Sequence, residues 1–160
     1  MKTRSRPRST PHVANDGTVS VRIVADTNTV ISGLLYGGFP QEIINAARAK
    51  RITLYSSVSL IAEFAEVIAR KKFATQIRAA LVSLPELVAD YAQLARIVVP
   101  AKIRPTVPGD PDDDQVLACA LAAGAELIVS RNKRLRNLKT YHGMPIVTAD
   151  EAVKRLPERA

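Results

Sequence analysis

Tryptophan is missing from this chain, aromatic residues make up 4% of it, and Cys119 is its one cysteine. Each shortage excludes something. One cysteine cannot form a disulfide within the chain, so the stapled scaffolds of small secreted proteins are ruled out. Two histidines, His12 and His142, beside that cysteine argue against a zinc site. Scarce aromatics leave the core to Leu, Ile, Val and Ala, a composition that suits Ala-rich helices packed on Val/Ile strands. No apolar run reaches the ~20 residues of a membrane-spanning helix, and no signal-peptide apolar stretch follows the basic start. The expectation is a soluble cytoplasmic protein with no membrane attachment.

What is there fits one domain: 160 residues, 47% of them hydrophobic. The net charge is +8 and the pI about 10.0. A basic balance of this size points to a polyanionic partner, nucleic acid above all, or else only to solubility. Residues 1–20 carry Lys2, Arg4, Arg6 and Arg8 against Asp16 and almost nothing apolar, and read as a disordered basic tail. That tail is either a nucleic-acid-binding arm or the product of a start site read too far upstream.

From Val21 onward, strands and helices alternate. Val21–Ala25 reads as a buried parallel strand ending at Asp26. A helix is predicted over Thr27–Tyr36, closed by Gly37-Gly38, and another from Pro40 to about Lys50. Ile52–Tyr55 reads as a strand, and Ser57–Lys72 as an amphipathic helix with Ser57 as its N-cap. Helices follow at 74–82 and 86–95, separated at Pro85, then a strand over Arg96–Val99 and a proline-rich loop at 100–111. Asp112–Ala123 reads as a helix ended by Gly124, Glu126–Ser130 as a strand, and 131–143 as a basic loop. A strand at Ile146–Thr148 and a helix at Asp150–Leu156 complete the pattern, which predicts a doubly wound α/β fold with a parallel sheet.

In such a sheet, strand C-termini and helix N-termini share one edge, and ligands bind there. Asp26, the run Asp112-Asp113-Asp114, and Asn132 all fall on that edge. Glu63 lies in the N-terminal half of its helix. Leu60, Ile61, Phe64, Val67 and Ile68 form an apolar arc of that helix; Glu63 borders it and Glu66 faces solvent. Glu63 is therefore either a site residue or an ordinary boundary residue. The four acids within Asp110–Asp114 exceed what a helix cap needs. Clustered carboxylates repel unless a cation lies between them, and hard oxygen ligands select Mg²⁺ or Mn²⁺. Beside them Arg131, Lys133, Arg134 and Arg136 form a basic run, either a phosphate-binding surface or a solvated loop.

These residues resemble a known family. Ile23-Val24-Ala25-Asp26-Thr27-Asn28-Thr29-Val30-Ile31-Ser32 looks like the opening motif of PIN domains. Glu63 within Leu60–Phe64 sits where that family has a helical acid. Asp110–Ala118 looks like the third motif, and Leu127-Ile128-Val129-Ser130 with Asn132 like the fourth. Within the family the chain resembles the toxins of toxin–antitoxin systems, the VapC-like ribonucleases. The resemblance implies a PIN-like three-layer fold over 21–156 and Mg²⁺- or Mn²⁺-dependent endonucleolytic cleavage of single-stranded or structured RNA. It implies Asp26, Glu63 and Asp114 as the main catalytic, metal-holding acids, with Asp113 and Asn132 as further ligands. Thr27, Asn28 and Ser130 would orient them, Arg131, Lys133, Arg134 and Arg136 would bind RNA, and a small antitoxin and a second copy of the chain would be partners.

One position departs from the family: Asn132 stands where an acid is usual, which lowers the charge of the site. A non-catalytic RNA-binding PIN domain is the alternative that this favours. A receiver-like domain lacks a phospho-accepting Asp here, and a haloacid-dehalogenase-like phosphatase would need an acid at position 28, which is Asn.

Overall fold

The structure, a computed structural model, describes residues 12–13 and 19–157. Most of the tail expected to be disordered lies outside the described residues. Within it, β1 (His12–Val13) pairs antiparallel with the first residues of β2 (Val19–Ala25), so regular structure starts before Val21.

β2 is central. Its side chains alternate between two cores: Ile23 and Ala25 enter one, Val24 the other. β5 (Leu127–Val129) lies parallel to it with Ile23 opposite Leu127 and Ala25 opposite Val129, and alternates in the same way. A strand buried on both faces needs an unbroken apolar run, which both strands have. β3 (Ile52–Ser56), β4 (Arg96–Ile97) and β7 (Met144–Val147) extend the parallel sheet. β6 (Thr140–Tyr141) adds an antiparallel edge, giving the order β4-β3-β2-β5-β7-β6.

Helices cover both faces. α1 (Thr27–Leu35), α2 (Gly38–Arg48), α5 (Leu84–Leu94) and α8 (Ala149–Lys154) pack on one, and α6 (Pro111–Ala123) with the short α7 (Lys133–Arg136) on the other. α3 (Val58–Ile68) serves both, with Phe64, Val67 and Ile68 in the first core and Leu60 in the second. Cys119 is fully buried in α6, and burial pushes its thiol up to about 12. This is the expected PIN-like α/β arrangement. No helix among the described residues is long and apolar enough to cross a membrane.

Ser57 caps α3 by accepting from the Leu60 amide, and Gly124 ends α6 in the left-handed conformation, both as expected. Elsewhere local chemistry moved the boundaries. Gly37, at φ 108°, closes α1 as expected, its amide donating to the Ser32 carbonyl at 3.1 Å, and it also caps α2, which begins at Gly38 with Pro40 in its first turn. α3 stops at Ile68, and a 3₁₀ turn at Lys71–Phe73 leads into α4 (Ala74–Ala79). Pro85 does not separate a pair of helices; it sits in the first turn of α5, which starts at a capping box between Ser83 and Glu86. The expected strand over Arg96–Val99 shrinks to Arg96–Ile97. The expected loop at 131–143 contains α7 and β6.

Gly33 fixes how closely α1 and α2 cross. A Cβ there would lie 2.5 Å from Ile44 Cγ1 and 2.7 Å from the Pro40 carbonyl oxygen. Alanine is the better helix former by about 1 kcal/mol, yet overpacking costs about 1–3 kcal/mol. Gly33→Ala is therefore expected to lower stability in urea denaturation. Unchanged or higher stability would show that the helices can move apart at no cost.

Candidate active site

The chain leaves β2 toward β3 on one side and leaves β5 toward β7 on the other. At such a reversal the connections diverge, and a crevice opens at the strand C-termini. Asp26 stands there. It is 7% exposed, and its backbone amide still donates to Val129 of β5, at 3.0 Å. One carboxylate oxygen caps α1 by accepting from the Thr29 amide at 2.9 Å. The other accepts from the Ser130 hydroxyl, directly after β5. The Asp26 side chain is thus clamped between the two strands that form the crevice.

Glu63 comes to the same place from α3. Thr27 Oγ1 donates to Glu63 Oε1 at 2.8 Å, so the residue after Asp26 orients the second acid. Glu63 is half-buried and Glu66 exposed, as the apolar arc predicted. Burial raises the Glu63 carboxyl above its ordinary range. The Thr27 hydrogen bond opposes that, and the charges of Asp112, Asp26 and Asp110 add to it.

The third contribution comes from the start of α6. Asp110 caps the helix through the Asp113 amide, at 3.1 Å. Asp113 is 8% exposed, and its carboxyl is pushed up to about 7, by burial first and then by Asp110; Asp26 adds to the rise, and Arg134 opposes it. Asn132 Nδ2 donates to both Asp113 oxygens, at 3.1 and 3.0 Å, while Asn132 Oδ1 accepts from the Arg134 amide at 2.8 Å. Arg134 also pairs with Asp110 at 3.1 Å.

Asp114 is turned elsewhere. Its carboxylate accepts from the Val107 amide at 2.8 Å and from the Thr106 amide at 3.1 and 3.2 Å. Consecutive helical residues point about 100° apart, so Asp113 and Asp114 leave the helix in different directions. The structure engages Asp114, expected as a main acid of the site, with the loop before α6, and it places Asp113, buried, against Asn132.

The remaining expected residues divide. Thr27 and Ser130 touch the acids directly, whereas Asn28 is exposed on the wall of an adjoining cleft. Arg131 and Arg134 line that cleft and Lys133 is exposed. Arg136 is half-buried, with its guanidinium donating to the Arg131 carbonyl at 3.3 Å. Sequence reasoning missed Asp110 as the partner of Arg134, and it missed Tyr36 and Phe39 on the cleft wall. The pair Gly37-Gly38 between those two rings was the available signal, since a helix break leaves flanking side chains outside the core.

The donors at the crevice are all oxygen, the chemistry that suits Mg²⁺ or Mn²⁺. Among the described residues no three His, Cys, Asp or Glu side chains gather closely enough to ligate one ion together. Mg²⁺ commonly takes only one or two carboxylates and keeps waters, so Asp26 with Glu63 or Asp113 fits that mode.

A parallel α/β sheet with carboxylates collected at its crevice is the framework of many phosphodiester-cleaving proteins. The family model for the PIN domain matches residues 22–134, more than half of the chain, and the chain belongs to that family. PIN domains are generally nucleases that act on RNA and use divalent metal ions. No curated protein matches the chain.

Asp113 and Asp114 should respond oppositely to loss of charge. The folded state raises the Asp113 carboxyl from 3.8 to about 7. That group therefore favours folding below its ordinary value, and the advantage is lost as pH rises through about 7. In metal-free buffer, Asp113→Asn is expected to melt above the wild type at pH 8 and close to it at pH 4. Asp114→Ala strips two backbone amides of their acceptor and is expected to cost about 1–3 kcal/mol. Melting curves in which Asp113→Asn is destabilising at pH 8 would contradict this assignment.

Proposed function

We propose that this chain is a metal-dependent endoribonuclease that hydrolyses RNA phosphodiester bonds at the crevice beside β2. The observation that carries this reading is the buried Asp26 carboxylate at the sheet edge, clamped by Ser130 and the Thr29 amide, with Thr27, the next residue, donating to Glu63. Like charges brought together in a buried place raise their own proton affinity, and a divalent cation relieves the repulsion.

Asp26, together with Glu63 or Asp113, would hold Mg²⁺ or Mn²⁺. When bound, that ion lowers the pKa of the attacking water and offsets charge on the scissile phosphate. The side chains around it do the positioning. Ser130 and the Thr29 amide keep Asp26 in one rotamer, and Thr27 keeps Glu63 turned inward. Such partners outside the ligand set govern both affinity and geometry. Asn132 restrains Asp113 through its amide and leaves the charge at that position one lower than an acid would. Arg131, Lys133 and Arg134, exposed beside the acids, would meet the phosphates of the RNA.

The finer reading is a toxin held in check by a small antitoxin, supported by the motifs the chain shares with such ribonucleases. An antitoxin or a second copy of the chain would find apolar surface around α4 and α5, where Leu81 is 90% exposed. A specific observation favours one other reading, an RNA-binding PIN domain without catalysis. Both functional atoms of Asn132 are already used, Nδ2 on Asp113 and Oδ1 on the Arg134 amide.

Cleavage of a labelled RNA with Mn²⁺ or Mg²⁺ separates the two. Wild type is expected to cut, Asp26→Asn to lose cutting while melting as a folded protein, and Glu66→Gln, on the solvent face, to cut as wild type does. RNA binding by wild type without metal-dependent cutting would replace the nuclease reading by the binding one.

A further inference from the structure

Three Phe and four Tyr are all the aromatic residues of this chain, and three of those seven stand on one wall. Tyr36, Phe39 and Phe73 line a cleft of about 1060 Å³ that runs up to Asn132 at the acidic edge. Tyr36 is 52% exposed and Phe39 48%, while Tyr55, Phe64 and Tyr91 are buried. A fold so short of rings leaves two of them in water beside its crevice, where they do nothing for the core.

The backbone holds these rings in place. Tyr36 follows the last turn of α1 and meets Phe73 edge to face, with ring centroids 6.4 Å apart. Phe39 lies in the first turn of α2, just beyond the bend at Gly37. Lys72 Nζ sits 5.1 Å from the centre of the Phe73 ring. The cleft is also cationic: Lys72, Arg131 and Arg134 line it against a single acid, Asp150, which accepts from the Thr148 hydroxyl.

Open ring faces beside cations are what an unpaired nucleotide needs: the base stacks and the flanking phosphates find positive charge. A duplex keeps its base faces inside and cannot use the rings. An apolar peptide could use the rings but would leave the cations unmatched. We propose that this cleft is a stacking subsite for an unpaired nucleotide of single-stranded RNA, its base on Tyr36 and Phe39 and its phosphates on Lys72 and Arg131. The inference rests on the ribonuclease reading and assigns its preference for unpaired RNA to these rings. The bond presented to the acids is one next to an unpaired base, and double-stranded RNA is refused.

Binding is read apart from cutting by placing the ring substitutions in the Asp26→Asn protein and following fluorescence anisotropy of a short labelled single-stranded RNA. Tyr36→Leu and Phe39→Leu are each expected to weaken binding about tenfold, the scale of one lost base stack. Tyr36→Phe, which keeps the ring, is expected to bind as its parent does, and the same RNA annealed to its complement to bind weakly and indifferently to both rings. Melting curves establish that the variants are folded. Single-strand affinity that survives both Leu substitutions, or a parent that binds duplex as tightly as single strand, would overturn the proposal and leave the rings to a protein partner. Tyr36→Leu and Phe39→Leu proteins with Asp26 intact that cut single strands as the wild type does would defeat this inference alone. Ring-dependent binding without cutting by either metal would defeat the ribonuclease reading alone.

Discussion

The Asp26 carboxylate joins three regions of this molecule at one point. It caps α1, accepts the hydroxyl that follows β5, and lies beside the residue that orients Glu63 of α3. A buried carboxylate is tolerable only when its lone pairs are met, so the strands on either side of the crevice must keep their register around it. The parallel pairing of Ala25 with Val129 and the Asp26 amide donating to Val129 supply that register. The same interactions that make the residue acceptable to the fold leave it rigid, and a rigid oxygen is what a site for a divalent ion requires.

The fold carries a cost at this edge. Asp113 and Glu63 are both less acidic than such groups are in water, through burial and through the other carboxylates. Some of the repulsion is met within the chain. Arg134 pairs with Asp110, and the Asn132 amide donates to both oxygens of Asp113. The edge abuts a cleft with three cations on its wall. A phosphate crossing from cleft to crevice would leave basic side chains and approach acidic ones, which suits a polyanion held on one side and attacked on the other.

Much of this was legible in the sequence, because the signals were local. The run Ile23–Ala25 and the Val/Ile-rich Leu127–Val129 could only be buried strands, and Asp26 had to stand at the edge they share. The angle of Glu63 to the apolar arc of α3 left it either a site residue or a boundary residue, and the Thr27 hydroxyl that orients it belongs to another element. The choice between Asp113 and Asp114 was not legible. Both lie in the first turn of α6, and the amides of Thr106 and Val107 claim Asp114 while Asn132 meets Asp113. No pattern within the helix reports a partner in a proline-rich loop. The aromatic wall was illegible for a related reason. Tyr36 belongs to the end of α1, Phe39 to α2 and Phe73 to the 3₁₀ turn, and only the α1–α2 crossing, set by Gly33, brings them to one cleft.

Calorimetric titration of Mn²⁺ into wild type, Asp113→Asn and Asp114→Asn tests this account most directly. Wild type should bind the ion, Asp114→Asn should still bind it, and Asp113→Asn should lose most of the affinity. Binding lost in Asp114→Asn and kept in Asp113→Asn would contradict the assignment of the inward-facing acid, and no binding in the wild type would contradict the metal centre itself.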